Sequence, residues 1–227
     1  MKRDPMSFLT SNRVVRTALA SAALLVLSSV AAPAANAYSP DIDGDGIPNT
    51  WELKGYDADG DGKVDVDYPG MGANPLKKDI FVEMDYMPGL LASEEELDRI
   101  TESFAQLPLR NPNGTTGINI HLDAGSARSA KYNLGGGNEV AHEQLDNTMT
   151  TWAEIRSKNM DPNRESVFHY MIWGDAYDEY GSSGLGYLGG RGFVVTVGPR
   201  FWGKSATSDV RVGTFIHELG HNLGLGH

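Results

Sequence analysis

Hydrophobic and polar positions change their period along the chain near residue 75, and that change organises the sequence. Asp79-Ile-Phe-Val-Glu-Met-Asp85 alternates with the two-residue period of a strand. Ser93 followed by Glu96 forms a capping box, after which Leu97, Ile100, Phe104 and Leu107 recur at helical spacing, so a helix with one apolar stripe is predicted up to Pro108. Beyond the turn signal Asn111-Pro-Asn-Gly114, the run Ile118-Asn-Ile-His-Leu122 alternates again and predicts a second strand. A helix over about Leu145 to Lys158 and strands over Val167 to Trp173 and Phe193 to Val197 follow. The last helix is expected from Asp209, read as its N-cap, to Leu223. Gly181 to Gly192 is a flexible tract with room for a short edge strand around Leu185 to Leu188. Residues 38–74 share none of this periodicity. They are rich in Asp, Gly and Pro, and a boundary is expected between 38–74 and 75–227.

The first 37 residues follow a third pattern. Lys2, Arg3, Arg13 and Arg16 precede an apolar run from about Ala18 to Ala32, and Ala35-Asn36-Ala37 fits the small-x-small cleavage rule, so residues 1–37 read as a signal peptide and the mature chain as starting at Tyr38. The rival reading, an N-terminal anchor, asks for about 20 apolar residues, and the run is shorter. A secreted, extracellular protein without a stable membrane anchor is expected. The chain of 227 residues carries a formal net charge of −11, and the basic leader makes the remainder more acidic still, which excludes nucleic acid as a natural partner. It has no cysteine, so a secreted fold must be held by its core or by bound ions instead of disulfides.

The densest chemistry stands at the end: His217-Glu218-Leu219-Gly220-His221-Asn222-Leu223-Gly224-Leu225-Gly226-His227 is H-E-x-x-H-x-x-G-x-x-H without a mismatch. Residues four apart share a helix face, so His217 and His221 present two imidazoles to one point. Gly224 can end the helix in a left-handed conformation and let the chain bring His227 to the same point. Three neutral nitrogens leave one tetrahedral position of a zinc ion for water, the mark of a catalytic site. Glu218, about 100° round the helix, is placed to serve that water as general base without ligating the metal. Val212, Ile216, Leu219 and Leu223 form the face expected to bury against a sheet. Five fixed positions at about one in twenty each leave a chance expectation of ~10⁻⁴ or less.

At these residues the chain resembles the metzincin zinc endopeptidases, over about residues 79–227. The resemblance implies the α/β (α+β) upper subdomain of that family. This is a twisted, mostly parallel five-stranded sheet with a backing helix and an active-site helix, whose antiparallel edge strand, near Ser183 to Leu188 by order, lines the cleft and binds substrate backbone. It also implies a lower subdomain with a methionine turn beyond the third histidine. The sequence stops at His227 and all eight methionines precede the motif, so the chain is expected to be the N-terminal portion of such an enzyme. Protein or peptide substrates and one catalytic zinc ion follow from the same resemblance.

The acidic segment reads as cation loops. Asp41, Asp43, Asp45, the main-chain oxygen of Ile47, Asn49 and Glu52 occupy the ligand positions of a twelve-residue calcium loop, with Gly46 at its turn. A second run offers Asp57, Asp59, Asp61, the main-chain oxygen of Lys63, and Asp65. Asp67 stands near its end, and Tyr68 takes the place of the closing acid. These tandem runs resemble thrombospondin type 3 calcium repeats, which implies one or two structural calcium ions. His121 and His169 in strands read as packed residues, as do Phe168, Tyr170 and Trp173, while His142 near Glu139 is set aside as a ligand. The sequence therefore predicts a secreted zinc endopeptidase. A calcium-dependent binding module with a vestigial zinc site is the alternative.

Overall fold

The computed structural model describes residues 40–177 and 181–227; the signal-peptide reading of 1–37 and the start at Tyr38 lie outside the described residues. Among the described residues no helix is long and apolar enough to cross a membrane.

Five strands, β1 (Asp79–Tyr86), β2 (Asn119–Asp123), β3 (His169–Gly174), β4 (Gly184–Gly186) and β5 (Gly192–Thr196), form one sheet in the order β2-β1-β3-β5-β4. The three pairings among β1, β2, β3 and β5 that the order requires are parallel crossovers, and only β4 runs antiparallel, at the edge beside β5. This is the mostly parallel α/β sheet expected. Parallel strands connected through helices are covered on both faces, which is why β3 and β5 are buried along their whole length. Among the described residues five α-helices accompany the sheet: α1 (Asn49–Lys54), α2 (Glu94–Ala105), α3 (Thr150–Asn159), α4 (Pro199–Trp202) and α5 (Ser208–Asn222).

The α2 capping box forms as its sequence dictates, with Ser93 Oγ accepting from Glu96 N–H and Glu96 Oε2 from Ser93 N–H. Two boundaries differ from the sequence expectation. The third helix starts at Thr150 and not near Leu145, because the Asp146 carboxylate collects the N–H groups of Thr148, Thr150 and Thr151 and caps the first turn itself. Burial pushes the Asp146 carboxyl up, but the Thr148 hydroxyl and the N–H groups of Thr151 and Thr150 outweigh it and hold it well below the usual carboxylate range. The last helix is capped by Thr207, whose hydroxyl accepts from Val210 N–H, and not by Asp209. Its buried face is Val212, Phe215 and Leu219; Leu223 ends the helix exposed and Ile216 is half-buried. Phe215 stacks on Trp173 and meets Phe193 edge-on, with centroids 5.8 and 5.3 Å apart.

Residues 40–74 pack into the same core. Ile47, Val66 and Tyr68 are buried, and the Tyr68 ring lies 5.4 Å from that of Phe81 on β1. Under the sheet, Arg164 bridges Glu83 and Asp123 at 2.8 Å each, and Tyr170 OH donates to Asp85. Such buried charges persist only when paired, and each of these carboxylates has a donor.

Candidate metal centre and cleft

Helix α5 carries His217, Glu218 and His221, and the turn after it carries His227. Gly224 takes φ of +92°, its N–H donating to His221 O and the Leu225 N–H to Gly220 O, both at 2.9 Å. This pair of bonds is the Schellman arrangement, closed by a residue that tolerates the left-handed region. The turn returns the chain over the helix end, so that Leu225 O accepts from His221 Nδ1 at 2.7 Å. With its proton on Nδ1, His221 directs the bare lone pair of Nε2 outward.

The three Nε2 atoms then converge. His217 to His221 is 3.2 Å, and His227 lies 3.1 Å from each. Nitrogens bound tetrahedrally at about 2.0–2.1 Å stand about 3.3 Å apart, so the observed triangle fits a zinc ion with little adjustment. Burial and the two neighbouring rings hold His217 below the ordinary imidazole range, which keeps it neutral for ligation.

Glu218 is buried beside this triangle against the edge strand. A Cβ at Gly184 would stand 2.6 Å from Glu218 Cγ, and one at Gly186 would stand 2.6 Å from Glu218 O, so only glycines let β4 approach the carboxylate this closely. Burial pushes Glu218 up to about 7, against the pull of His221 and of the Gly186 N–H. A cleft of about 700 Å³ opens along β4 to the histidines, lined also by Tyr177, Leu188 and Thr214.

What surrounds the centre was not legible as motif. Arg211, nearly two turns before His217 on α5, donates to Glu96 Oε1 at 2.9 Å and Leu90 O at 2.7 Å, so the carboxylate of the capping box also anchors α5. At the other end, Asn222 donates to Tyr187 O and Gly192 O and accepts from His169 Nδ1 at 3.0 Å. The one sequence hint was Asn222 itself, a polar residue in the variable part of the histidine motif.

Burial pushes His169 down to about 4; Asn222 favours its charged form, while Arg191, the other charge facing it, opposes it. The folded value lies below the unfolded ~6.5, so the unfolded chain binds the proton first. Stability is full above about pH 6.5 and falls as pH drops towards 4; at pH 5 the loss from this residue is about 2 kcal/mol. Melting curves at pH 7 and 5 on the wild type and His169→Gln check this. The variant is expected to lack that share of the acid slope, and equal slopes would remove His169 from the account.

Of the remaining histidines, His121 is packed, as expected, and His142 is exposed. His121 stacks 4.3 Å from Phe81 and bonds Asp79 at 2.6 Å, while His142 meets Asp175 at 2.9 Å and not Glu139.

In the acidic segment the structure gathers Asp41, Asp43 and Asp45 into one group and Asp45, Glu52 and Asp79 into an adjoining one. Ile47 buries its side chain in the core, and its N–H donates to Asp45 Oδ1 at 2.7 Å. Asn49 turns its Oδ1 to the Ile42 N–H at 3.0 Å. Burial, reinforced by neighbouring carboxylates, pushes Glu52 up to about 8 and Asp45 to about 7. In the second run Asp57, Asp59 and Asp61 come together, and Lys63 Nζ lies 2.6 Å from Asp61. Asp65 and Asp67 stand outside that group. Asp65 Oδ2 accepts from Ala58 N–H at 2.7 Å and Asp67 Oδ1 from Gly70 N–H at 2.9 Å, since Tyr68 is drawn into the core and turns the chain away. Asp79, at the head of β1, belongs to no loop pattern and was not foreseen.

Residues 113–227 match the family described as metallo-peptidase family M12B, reprolysin-like. No curated protein matches the chain.

Proposed function

We propose, on the premise that this chain belongs to the reprolysin-like family of M12B metallopeptidases, that it is an exported endopeptidase acting on protein or peptide substrates. Membership of that family implies a metzincin-type zinc peptidase with catalytic zinc. The observation that carries the finer reading is the convergence of three histidine Nε2 atoms at 3.1–3.2 Å beside a buried glutamate held by the Gly186 N–H.

His217, His221 and His227 hold the metal. When bound, zinc acts as a Lewis acid that polarises the scissile carbonyl and brings the pKa of water towards neutrality. The Glu218 carboxylate receives the proton of the attacking water and passes it to the leaving amine. The outer edge of β4 offers main-chain donors and acceptors to an extended peptide, and the glycines at 184 and 186 keep that edge against Glu218. Arg211 and Asn222 fix the two ends of α5, which keeps the ligands within the tolerance that chemistry requires. The acidic segment holds calcium in a structural role, and the leader pattern at 1–37 supports export.

Hydrolysis of a quenched peptide by the full-length protein tests this reading, with zinc removed and restored while calcium is held constant. Cleavage is expected to vanish with zinc and to return on its addition alone. Zinc-loaded protein that cleaves neither peptides nor casein would instead favour the calcium-dependent binding module.

A further inference from the structure

Glu52 and Asp43 are 1% and 4% exposed, and all four of their carboxylate oxygens lack a hydrogen-bond partner. Buried carboxylates in that condition carry a heavy desolvation penalty unless a cation meets them. Among the described residues neither they nor Asp41 and Asp45 form an ion pair, and Lys78 Nζ goes to the main-chain oxygen of Asp43. The unpartnered oxygens mark a ligand position, and the donors around it are all oxygen, which selects a hard divalent cation of the calcium class.

The loop pattern supplies Asn49 as its ninth residue, and the side-chain oxygen of Asn49 accepts from Ile42 N–H at 3.0 Å. A further acid stands at this position from outside the loop. The acid that stands with Asp45 and Glu52 is Asp79, the first residue of β1. Its Oδ2 accepts from Asn74 N–H at 2.7 Å, and its Oδ1 meets Asn119 Nδ2 at 2.8 Å and His121 Nε2 at 2.6 Å. Each oxygen can accept more than one bond, so these contacts orient the carboxylate as the outer partners of metal ligands do. Asp79 N–H donates to Asp45 Oδ2 at 2.7 Å, so backbone and side chain of one residue address the same site.

Resting on the reading that the first acidic loop takes calcium, we propose that Asp79 completes that site from the catalytic sheet, so that the ion clamps residues 41–52 to the first strand of the peptidase. Calcium then stabilises the peptidase domain as a whole and not a separate appendage. Asp79 is held at the end of a strand that pairs with β2 and β3, so loss of the ion frees the head of the sheet.

Calcium titration of the zinc-loaded full chain decides this, in a background of Asp57→Ala with Asp59→Ala that silences the second run. That background is expected to bind calcium saturably and to melt at higher temperature with it. Adding Asp43→Ala with Asp45→Ala abolishes both effects, and adding Asp79→Asn weakens binding by about 10–100-fold. Background-level affinity in Asp79→Asn, with binding lost in the Asp43/Asp45 variant, overturns the clamp and leaves the loop reading standing. Absence of saturable binding in the background overturns both. Because Asp79 also organises Asn74, Asn119 and His121, amide exchange on the unmutated chain serves as a second measurement. Calcium is expected to slow exchange at Asp79 and Asn74 together with residues 41–52, and protection confined to 41–52 overturns the clamp.

Discussion

Glu218→Ala is expected to lower kcat/KM for a quenched peptide by about 10²–10⁴-fold while zinc content and fold stay as in the wild type. The structure separates these effects because Glu218 forms no ion pair among the described residues, and the partner identified for its carboxylate is the Gly186 N–H. Removing the side chain opens a small space against two glycines and leaves the histidine triangle and the Arg211 and Asn222 anchors in place. Glu218→Gln keeps the volume and the Gly186 contact but cannot take up a proton, so it is expected to be as inactive as the alanine variant. Activity within tenfold of wild type in either, with zinc retained, would remove Glu218 from the role of general base.

His221→Ala is expected to lose both metal and activity. His221 is the second of the three proposed ligands, with Nε2 within 3.2 Å of both other nitrogens, and its Nδ1 bond to Leu225 O fixes the turn that delivers His227. The substitution therefore removes one ligand and loosens another, leaving too few donors for a closed site. Zinc per chain after dialysis should fall from stoichiometric to a trace. Melting should change less, because His221 is a partly exposed face of a helix whose buried side is Val212, Phe215 and Leu219. Stoichiometric zinc in this variant would contradict the ligand set.

The sequence disclosed what depends on local spacing. The histidine motif places its residues on one helix face and one turn, and the helix geometry that joins them is the same in any fold. The capping box of α2 and the alternation of β1 and β2 were legible for the same reason. What it concealed depends on which elements lie side by side. Glu96 announced itself as a cap but not as the partner of Arg211, because that contact joins helices more than a hundred residues apart. Asp79 read as the start of a strand, and only the packing of residues 40–54 against that strand reveals it as a companion of Glu52. Asp67 counted as a candidate ligand by position, but the burial of Tyr68 beside it redirected the chain. The start of α3 was misplaced because an aspartate in an apparent first turn is more effective as a cap ahead of it.

X-ray absorption at the zinc edge on the full chain, loaded with one equivalent of zinc and with calcium present, tests the central claim most directly. Three imidazole nitrogens and one further light atom at about 2.0–2.1 Å are expected, with the multiple-scattering pattern of histidine reduced in His221→Ala. A first shell of oxygens alone, unchanged by that substitution, would place the zinc among the carboxylates of the acidic segment and contradict the account.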